Sequence, residues 1–339
     1  MKNKNIFIQL PLLVIGLFLV FAFGCKEEEK IPTVSTTEIT NITMSSATSG
    51  GFIEDDGGAG IIDCGVCWST NDNPTIADNK TIDTLGSFGF ESSITGLEAN
   101  TTYYVRAYAT NSVGTGYGNV ISFKTSGFST FTDPRDGNVY KTIQIGNQIW
   151  MAENLKYLPS VVSPEVGSDT YPYYYVYGYS GNNISDAKAT ENYATYGVLY
   201  NWSAVMGGAM SSDNNPSGVR GVCPEGWHVP SEAEWTELTD FLGGEIVAGG
   251  KLKETGTEHW KTPNEGATNE VGFTALPNGA RAHFGAYFFS LGENGFWWTT
   301  TKGTDADDAK CVFMFYDYGN INVQASSKTL GGAVRCVKN

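Results

Sequence analysis

The chain has 339 residues, enough for two ordinary domains, and a formal net charge of −15 at pH 7. A protein this acidic repels phosphate backbones, so its composition argues against nucleic acid as a partner. Aromatic residues make up 13% of the chain and charged residues only 17%, and there are 41 glycines. This profile is typical of strands and tight turns rather than of helical bundles.

Residues 1–24 have the pattern of a secretory signal peptide. Lys2 and Lys4 form a short basic lead, and the stretch from 6 to 23 is almost wholly apolar. Its position at the start of the chain and the small Gly24 at its end favour a cleaved signal over a membrane span. An uncleaved membrane anchor is the alternative.

Residues 22–25 resemble a bacterial lipobox, the motif of a lipoprotein whose cysteine is acylated. The resemblance implies lipidation of Cys25 and stable membrane attachment, because each buried methylene contributes about 0.8 kcal/mol. The acidic tether, residues 25–31, resembles the signal that sends lipoproteins of gut and oral Gram-negative anaerobes to the outer face. A solvated charged run is the alternative. We therefore expect a surface-exposed protein, lipid-anchored in the outer membrane.

Residues 32–126 alternate short strand-like runs with clusters of Gly, Asn, Asp and Ser, which predicts an all-β sandwich. The clearest strand is 102–109, where a period of two places Tyr103 and every second residue after it on one face. Leu97, a short turn and Tyr103 resemble the pattern of a fibronectin type III domain. The resemblance implies that the Tyr103 hydroxyl is tied to upstream backbone and that the domain acts as a spacer.

Cys64 and Cys67 have the spacing of a metal or redox pair, but they lie in a predicted strand. A separation of three residues directs the two thiols to opposite faces, so they cannot share one ion without a bulge. We interpret them as buried structural thiols. The chain has six cysteines including Cys25, and the odd remainder implies an unpaired thiol or a bond between chains.

Residues 128–339 have a different texture, with tryptophan clusters and one clear helix. The helix is predicted to begin at a capping box formed by Ser231 and Glu234, and apolar residues follow at helical spacing. Nearer the start of this segment, two strand-like runs are joined at Gly146 and Asn147, which predicts a hairpin.

Five spaced blocks of this segment carry the signature of one family. In chain order the blocks are 133–140, 145–155, 199–202, 223–230 and 334–337. Together they resemble the Fibrobacter succinogenes major paralogous domain, which is distantly related to C-type-lectin-like folds. The resemblance implies an α+β C-type-lectin-like domain over 128–339 and no settled activity. Between 158 and 192 the chain departs from the family core, and we expect the Tyr-rich stretch 171–179 to be a surface loop.

Residues 227–235 are also similar to a motif of formylglycine-generating enzymes, so an oxidase of that type is a minor alternative. The copper site of those enzymes uses two cysteines a few residues apart, whereas Cys311 and Cys336 are far apart in this sequence. We expect instead a disulfide at Cys336, with Cys223 as its first candidate partner and Cys311 as its second. Such a bond stabilises by roughly 2–4 kcal/mol. No catalytic residue and no cofactor is predicted.

Sugar binding through calcium would need loop ligands that this sequence lacks. Asp305, Asp307 and Asp308 could supply oxygens for calcium, but a solvated loop is the better interpretation, so no metal site is predicted. Sugars also stack on exposed aromatic rings without a metal. The candidate ligand-binding residues are Tyr173, Tyr175, Trp297 and Trp298. Core packing is the alternative for the two tryptophans.

The anchor, spacer and head together predict a non-catalytic binding or adhesion module with a glycan or protein ligand, such as matrix. A structural subunit of a surface appendage or envelope complex is the alternative. The three histidines are scattered without the spacing of metal ligands, and no phosphate-cradling glycine loop opens a helix.

Overall fold

The structure, a computed structural model, describes residues 28–84, 86, 89–284 and 287–339. The predicted signal, the predicted lipidation site at Cys25 and the start of the tether lie outside the described residues. Within those ranges, no helix combines the length and the apolar character needed to cross a bilayer. The fold is mostly β. It is described below as an N-terminal unit, 28–126, and a C-terminal unit, 128–339.

Two antiparallel sheets make up the N-terminal unit. Its strands are β1 (Thr33–Thr36), β2 (Ser46–Asp55), β3 (Asp63–Ser69), β4 (Asn79–Lys80), β5 (Gly89–Thr95), β6 (Thr102–Thr110), β7 (Thr115–Tyr117) and β8 (Ile121–Lys124). One sheet has the order β1-β2-β5. In the other sheet β3 pairs with β4 and β6, and β7 and β8 share the second edge of β6. Apolar side chains from both sheets form one core.

Strand β6 shows the predicted alternation. Tyr103 and every second residue to Ala109 are buried in the core between the sheets. The hydroxyl of Tyr103 accepts a hydrogen bond from the backbone N–H of Glu98 at 3.0 Å, as the sequence resemblance implied. On the opposite face Tyr108 is also fully buried, and its hydroxyl is satisfied there by donating to the carbonyl of Thr81 at 2.7 Å.

The cysteines of β3 lie on opposite faces, which confirms the prediction from their spacing. Cys64 packs in the core with Val66 and Trp68. Cys67 is buried on the other side, with its sulfur 3.5 Å from the carbonyl oxygen of Pro74. Burial raises the pKa of both thiols, so both remain protonated at neutral pH.

The C-terminal unit mixes short helices with many strands. Its elements in chain order are β9 (Ser129–Thr132), β10 (Val139–Ile145), β11 (Gln148–Met151), β12 (Tyr174–Tyr175), α1 (Ile184–Lys188), α2 (Glu191–Tyr196), β13 (Leu199–Tyr200), α3 (Trp202–Met206), β14 (Trp227–His228), α4 (Glu232–Phe241), α5 (Glu245–Leu252), β15 (Asn278–Arg281), β16 (Phe288–Leu291), β17 (Asn294–Lys302), β18 (Asp308–Phe315), β19 (Ile321–Ser327) and β20 (Val337–Lys338).

A five-stranded sheet of order β14-β20-β11-β10-β9 and a three-stranded sheet of order β17-β18-β19 frame this unit. The segment from Gly331 to Ala333 forms backbone bridges to three elements of the unit. Gly331 bridges to Arg281, and Gly332 bridges to Tyr200. Ala333 bridges to β17, so the end of the chain runs through the middle of the unit.

The predicted helix and hairpin are both present. Helix α4 begins at Ser231, whose hydroxyl accepts from the backbone N–H of Glu234, and the Glu234 carboxylate accepts from the backbone N–H of Ser231. The β10–β11 turn places Gly146 at φ +57°, a left-handed conformation that glycine adopts without strain.

The Tyr-rich stretch 171–179 is not the surface loop that the sequence predicted. Its residues Tyr174 and Tyr175 form β12, which pairs with β13. Tyr175 and Val176 are fully buried. The Tyr175 hydroxyl donates to the carbonyl of Val166 at 2.7 Å, so the one polar group of this side chain is satisfied inside the fold.

Candidate functional site

Three of the four candidate aromatic residues are unavailable to a ligand. Trp297, Trp298 and Tyr175 are fully buried, so their proposed stacking role is wrong. The indole of Trp297 donates to Asn154 Oδ1 and that of Trp298 to the carbonyl of Tyr200, both at 2.8 Å. These rings fill the core with their polar atoms paired, which is how buried tryptophans are normally accommodated.

Tyr173 is the partly exposed member of the candidate set. Its backbone N–H donates to Asn201 Oδ1 at 2.8 Å, and its ring packs against the core that contains Trp297. The structure brings no second candidate to the surface beside it, because Tyr175 is fully buried in β12, the strand that follows Tyr173.

The disulfide joins Cys223 to Cys336, which confirms the first-choice pairing. Cys311 is free and fully buried, and burial raises the pKa of its thiol, so it is held as the neutral thiol. A copper site of the formylglycine-generating type needs two available cysteines. Because Cys336 is already bonded to Cys223, Cys311 and Cys336 do not form such a site here.

The three aspartates considered as calcium ligands lie at and just before the start of β18. Asp305 and Asp307 are exposed before β18, and Asp308 is the half-buried first residue of that strand. Across the described ranges, no group of three or more His, Cys, Asp or Glu residues is arranged to hold a metal ion.

The buried His228 forms part of a structural ion pair. Its Nε2 lies 2.6 Å from Glu234 Oε1 and its Nδ1 lies 2.8 Å from Asn339 Oδ1. Burial lowers the pKa of His228, but the hydrogen bond and charge of Glu234 outweigh that effect and leave the pKa above its ordinary value. Glu234 Oε2 also accepts from the backbone N–H of Ser217. These groups fasten the start of α4 to the C-terminus.

A groove between the two units is the cavity best placed for a ligand. This inter-unit groove has a volume of about 480 Å³ and lies between strands β2 and β5 on one side and helices α4 and α5 on the other. Hydroxyl groups dominate its N-terminal side. The hydroxyl-bearing lining residues are Thr43, Ser45, Ser46, Thr48, Ser93, Thr95 and Thr268. Small-molecule sites prefer such clefts between domains.

The C-terminal wall of the inter-unit groove adds an ion pair and a ring. Lys251 Nζ lies 3.4 Å from Glu270 Oε2, and the ring of Phe241 lies beside them. Glu270 also connects the two units, since the hydroxyls of Ser45 and Ser46 donate to its carbonyl and to its carboxylate at 3.1 and 3.0 Å. The groove therefore offers donors, acceptors and one aromatic surface on a wall that is already ordered.

Sequence reasoning missed this groove because its walls come from segments about two hundred residues apart. The only local signal was the run of hydroxyl residues between Thr43 and Thr48, where the chain enters β2. Nothing in the sequence indicated that this run faces α5.

Comparison with known protein families gives a match that lies within the C-terminal unit. The family model described as the Fibrobacter succinogenes major domain matches residues 143–338. A search of curated protein sequences finds no match to this chain.

Two similar solved structures overlap shorter stretches. A myokine structure shares 17% identity at a TM-score of 0.22, over 29% of this chain and 98% of its own. The sensor domain of the anti-sigma factor RsgI4 in Pseudobacteroides cellulosolvens shares 16% identity at a TM-score of 0.22, over 29% of this chain and 97% of its own. Because the family match covers more than half of the 339 residues, this protein belongs to the Fibrobacter succinogenes major domain family, as its spaced sequence blocks predicted.

Proposed function

We propose that this protein is a surface-anchored lipoprotein that binds a glycan or a matrix protein without catalysis. The observation that carries the proposal is the hydroxyl-rich inter-unit groove, about 480 Å³ in volume, with the Lys251–Glu270 ion pair and Phe241 on one wall. Hydroxyls, a charge pair and an aromatic ring are the groups that hydrogen-bond to and pack against a polar, ring-shaped ligand.

We also propose finer assignments for the two units. The paired sheets of the N-terminal unit and the Tyr103 hydrogen bond support a fibronectin type III-like spacer. The short helices and antiparallel sheets of the C-terminal unit support a C-type-lectin-like head. In this arrangement the spacer holds the head away from the membrane and forms one wall of the groove.

A glycan and matrix-protein array, probed with the full chain after the signal, tests ligand binding. We expect a hit that Phe241→Ala and Lys251→Gln each weaken. The matched controls are Phe284→Ala and Lys124→Gln, which change exposed side chains outside the groove and should leave the hit unchanged. Folded protein that gives a blank array, or a hit that the groove variants do not affect, would contradict the proposal.

Membrane anchoring is tested separately in cells. Wild-type protein should incorporate a palmitate label, fractionate with the outer membrane and be cleaved by protease added to intact cells. Cys25→Ser should lose the label and the membrane association. A Cys25→Ser protein that stays in the membrane would indicate an uncleaved span instead.

A structural subunit of an appendage or envelope complex is the second candidate function. The observation that favours it is β19, an edge strand in the described part of the three-stranded sheet, with Gln324 and Ala325 exposed. Edge strands are templates for pairing with a strand of another chain. Mild crosslinking on cells that recovers defined partner subunits would support this candidate, and recovery of the monomer alone would count against it.

A further inference from the structure

A second cavity lies on the C-terminal unit near the junction of the two units, and it shares no lining residue with the inter-unit groove. It has a volume of about 310 Å³ and is lined by Lys141, Lys156, Arg335 and Glu153 among others. Met44, from the N-terminal unit, closes part of its rim. We call it the cationic pocket.

Arg335 is the unusual member of this pocket. Its side chain is 1% exposed, and its guanidinium donates to Asn154 Oδ1 at 3.0 Å and to the carbonyls of Phe273 and Thr274. All three acceptors are neutral. A guanidinium carries five N–H donors, so these bonds leave donors over, and a buried charge without a close counter-charge is costly.

Burial lowers the pKa of Arg335 to about 9, and the charge of Glu153 only partly offsets that effect. Glu153 is itself engaged. Its Oε2 accepts from the backbone N–H of Lys141 at 2.7 Å, and its Oε1 lies 3.7 Å from Lys156 Nζ. Glu153 therefore pairs with Lys156, and this one carboxylate does not offset all three cations of the pocket.

The local charge is opposite to that of the whole protein. Three cationic side chains and one carboxylate give the cationic pocket a formal charge of +2, in a chain of net charge −15. Lys141 Nζ lies 5.5 Å from the ring centroid of Phe128, at the edge of the pocket. Like charges collected around one cavity repel each other unless an anion lies between them.

We propose that the cationic pocket binds a small oxyanion, such as the carboxylate of an acidic sugar or a phosphate. Arg335 Nη1 and Nη2 each keep one N–H beyond those donated to Phe273 and Thr274, and the exposed Lys141 adds a charge at the mouth. Lys156, which also pairs with Glu153, adds a third cation to the lining. The volume of about 310 Å³ is that of a small-molecule site. This site is independent of the inter-unit groove, so it stands whether or not the groove binds a ligand.

Isothermal titration of the full chain after the signal, at constant ionic strength, tests the proposal. The probes are glucuronate and inorganic phosphate, with glucose and chloride as references. We expect one oxyanion per chain to bind, and Lys141→Gln to weaken the affinity about tenfold through loss of one charge-assisted contact. Lys141 is exposed, so its replacement should not disturb folding. Lys124→Gln is the matched control, because Lys124 is an exposed lysine outside the pocket.

Binding of glucuronate but not phosphate would identify a carboxylate ligand, and the reverse would identify a phosphate group; both results support the site. The proposal is overturned if neither probe binds more tightly than chloride, since Arg335 would then serve only to hold the two backbone carbonyls. It is also overturned if Lys141→Gln and Lys124→Gln bind equally well, because the anion would then lie elsewhere.

Discussion

The two units of this protein bury different kinds of side chain. The N-terminal unit packs mainly aliphatic side chains between two sheets, with Trp68 as its one core tryptophan, and its cysteines remain free. The C-terminal unit fully buries Trp150, Trp235, Trp260, Trp297 and Trp298, and it adds a disulfide and buried cations. We infer that stability is spread over strand pairing in the first unit and concentrated in a few large buried side chains in the second.

The C-terminal unit depends on large buried side chains because its helices and strands are short. Helices of five to ten residues contribute little stability on their own, so their packing must supply it. Aromatic side chains bury about 150–250 Å² each, which makes them efficient at filling the space between short segments. Trp150 shows this directly, since its ring centroid lies 4.8 Å from that of Trp235 and 5.7 Å from that of Phe273.

The largest effect should come from removing one of these rings. Trp150→Ala should lower the free energy of unfolding of the C-terminal unit by about 3–5 kcal/mol, because it creates a cavity that surrounding rings cannot fill. Chemical denaturation followed by tryptophan fluorescence and by hydrogen exchange measures this for each unit separately. Phe284→Ala, at a side chain that is 77% exposed, is the control. If Trp150→Ala destabilised both units equally, the cores of the two units would not be independent.

Removing the disulfide should have the next largest effect. Cys223→Ser combined with Cys336→Ser opens a link between residues 113 apart in sequence, and we expect a loss of about 2–4 kcal/mol in the C-terminal unit. Treatment of the wild-type protein with a reductant provides the matched measurement. Hydrogen-exchange protection in the N-terminal unit should stay constant, because Cys64 and Cys67 are free thiols already.

Local signals in the sequence predicted the elements that depend on neighbouring residues. The capping box of Ser231 and Glu234, the hairpin at Gly146 and the opposite faces of Cys64 and Cys67 each follow from spacing over a few residues. The family itself was identified from several such short blocks taken together.

Features that depend on distant segments could not be predicted in the same way. Trp297 and Trp298 are adjacent in sequence, yet both are buried, because neighbouring elements cover both faces of β17. The Tyr-rich stretch was assigned to the surface from its composition, whereas Tyr175 is enclosed by residues far along the chain. The groove and the cationic pocket likewise join segments that only the fold brings together.

A smaller effect is expected at the Tyr103 hydrogen bond of the N-terminal unit. Tyr103→Phe keeps the buried ring and removes only the acceptor for the Glu98 N–H, so it should cost about 1 kcal/mol. Tyr104→Phe, on the opposite and partly exposed face of the same strand, is the control. Equilibrium unfolding followed by hydrogen exchange in β6 separates the two. A loss from Tyr103→Phe as large as that from Trp150→Ala would contradict the view that stability is spread out in this unit.

The smallest expected effect is a pH dependence confined to the C-terminal unit, since all three histidines of the chain lie there. Both partners of His228 are oxygen acceptors, Glu234 Oε1 and Asn339 Oδ1, so the geometry favours the doubly protonated ring. A pKa raised in the folded state means that the stabilisation is fully present below the unfolded pKa of about 6.5. It is lost as the pH rises through the folded pKa. The denaturation midpoint of the C-terminal unit should therefore fall as the pH rises above about 6.5 and through the folded pKa of His228. His228→Gln should abolish that fall, while His283→Gln, at an exposed ring, should preserve it. A midpoint that rose as the pH passed above 6.5 in the wild-type protein would contradict a stabilising pair between protonated His228 and the Glu234 carboxylate.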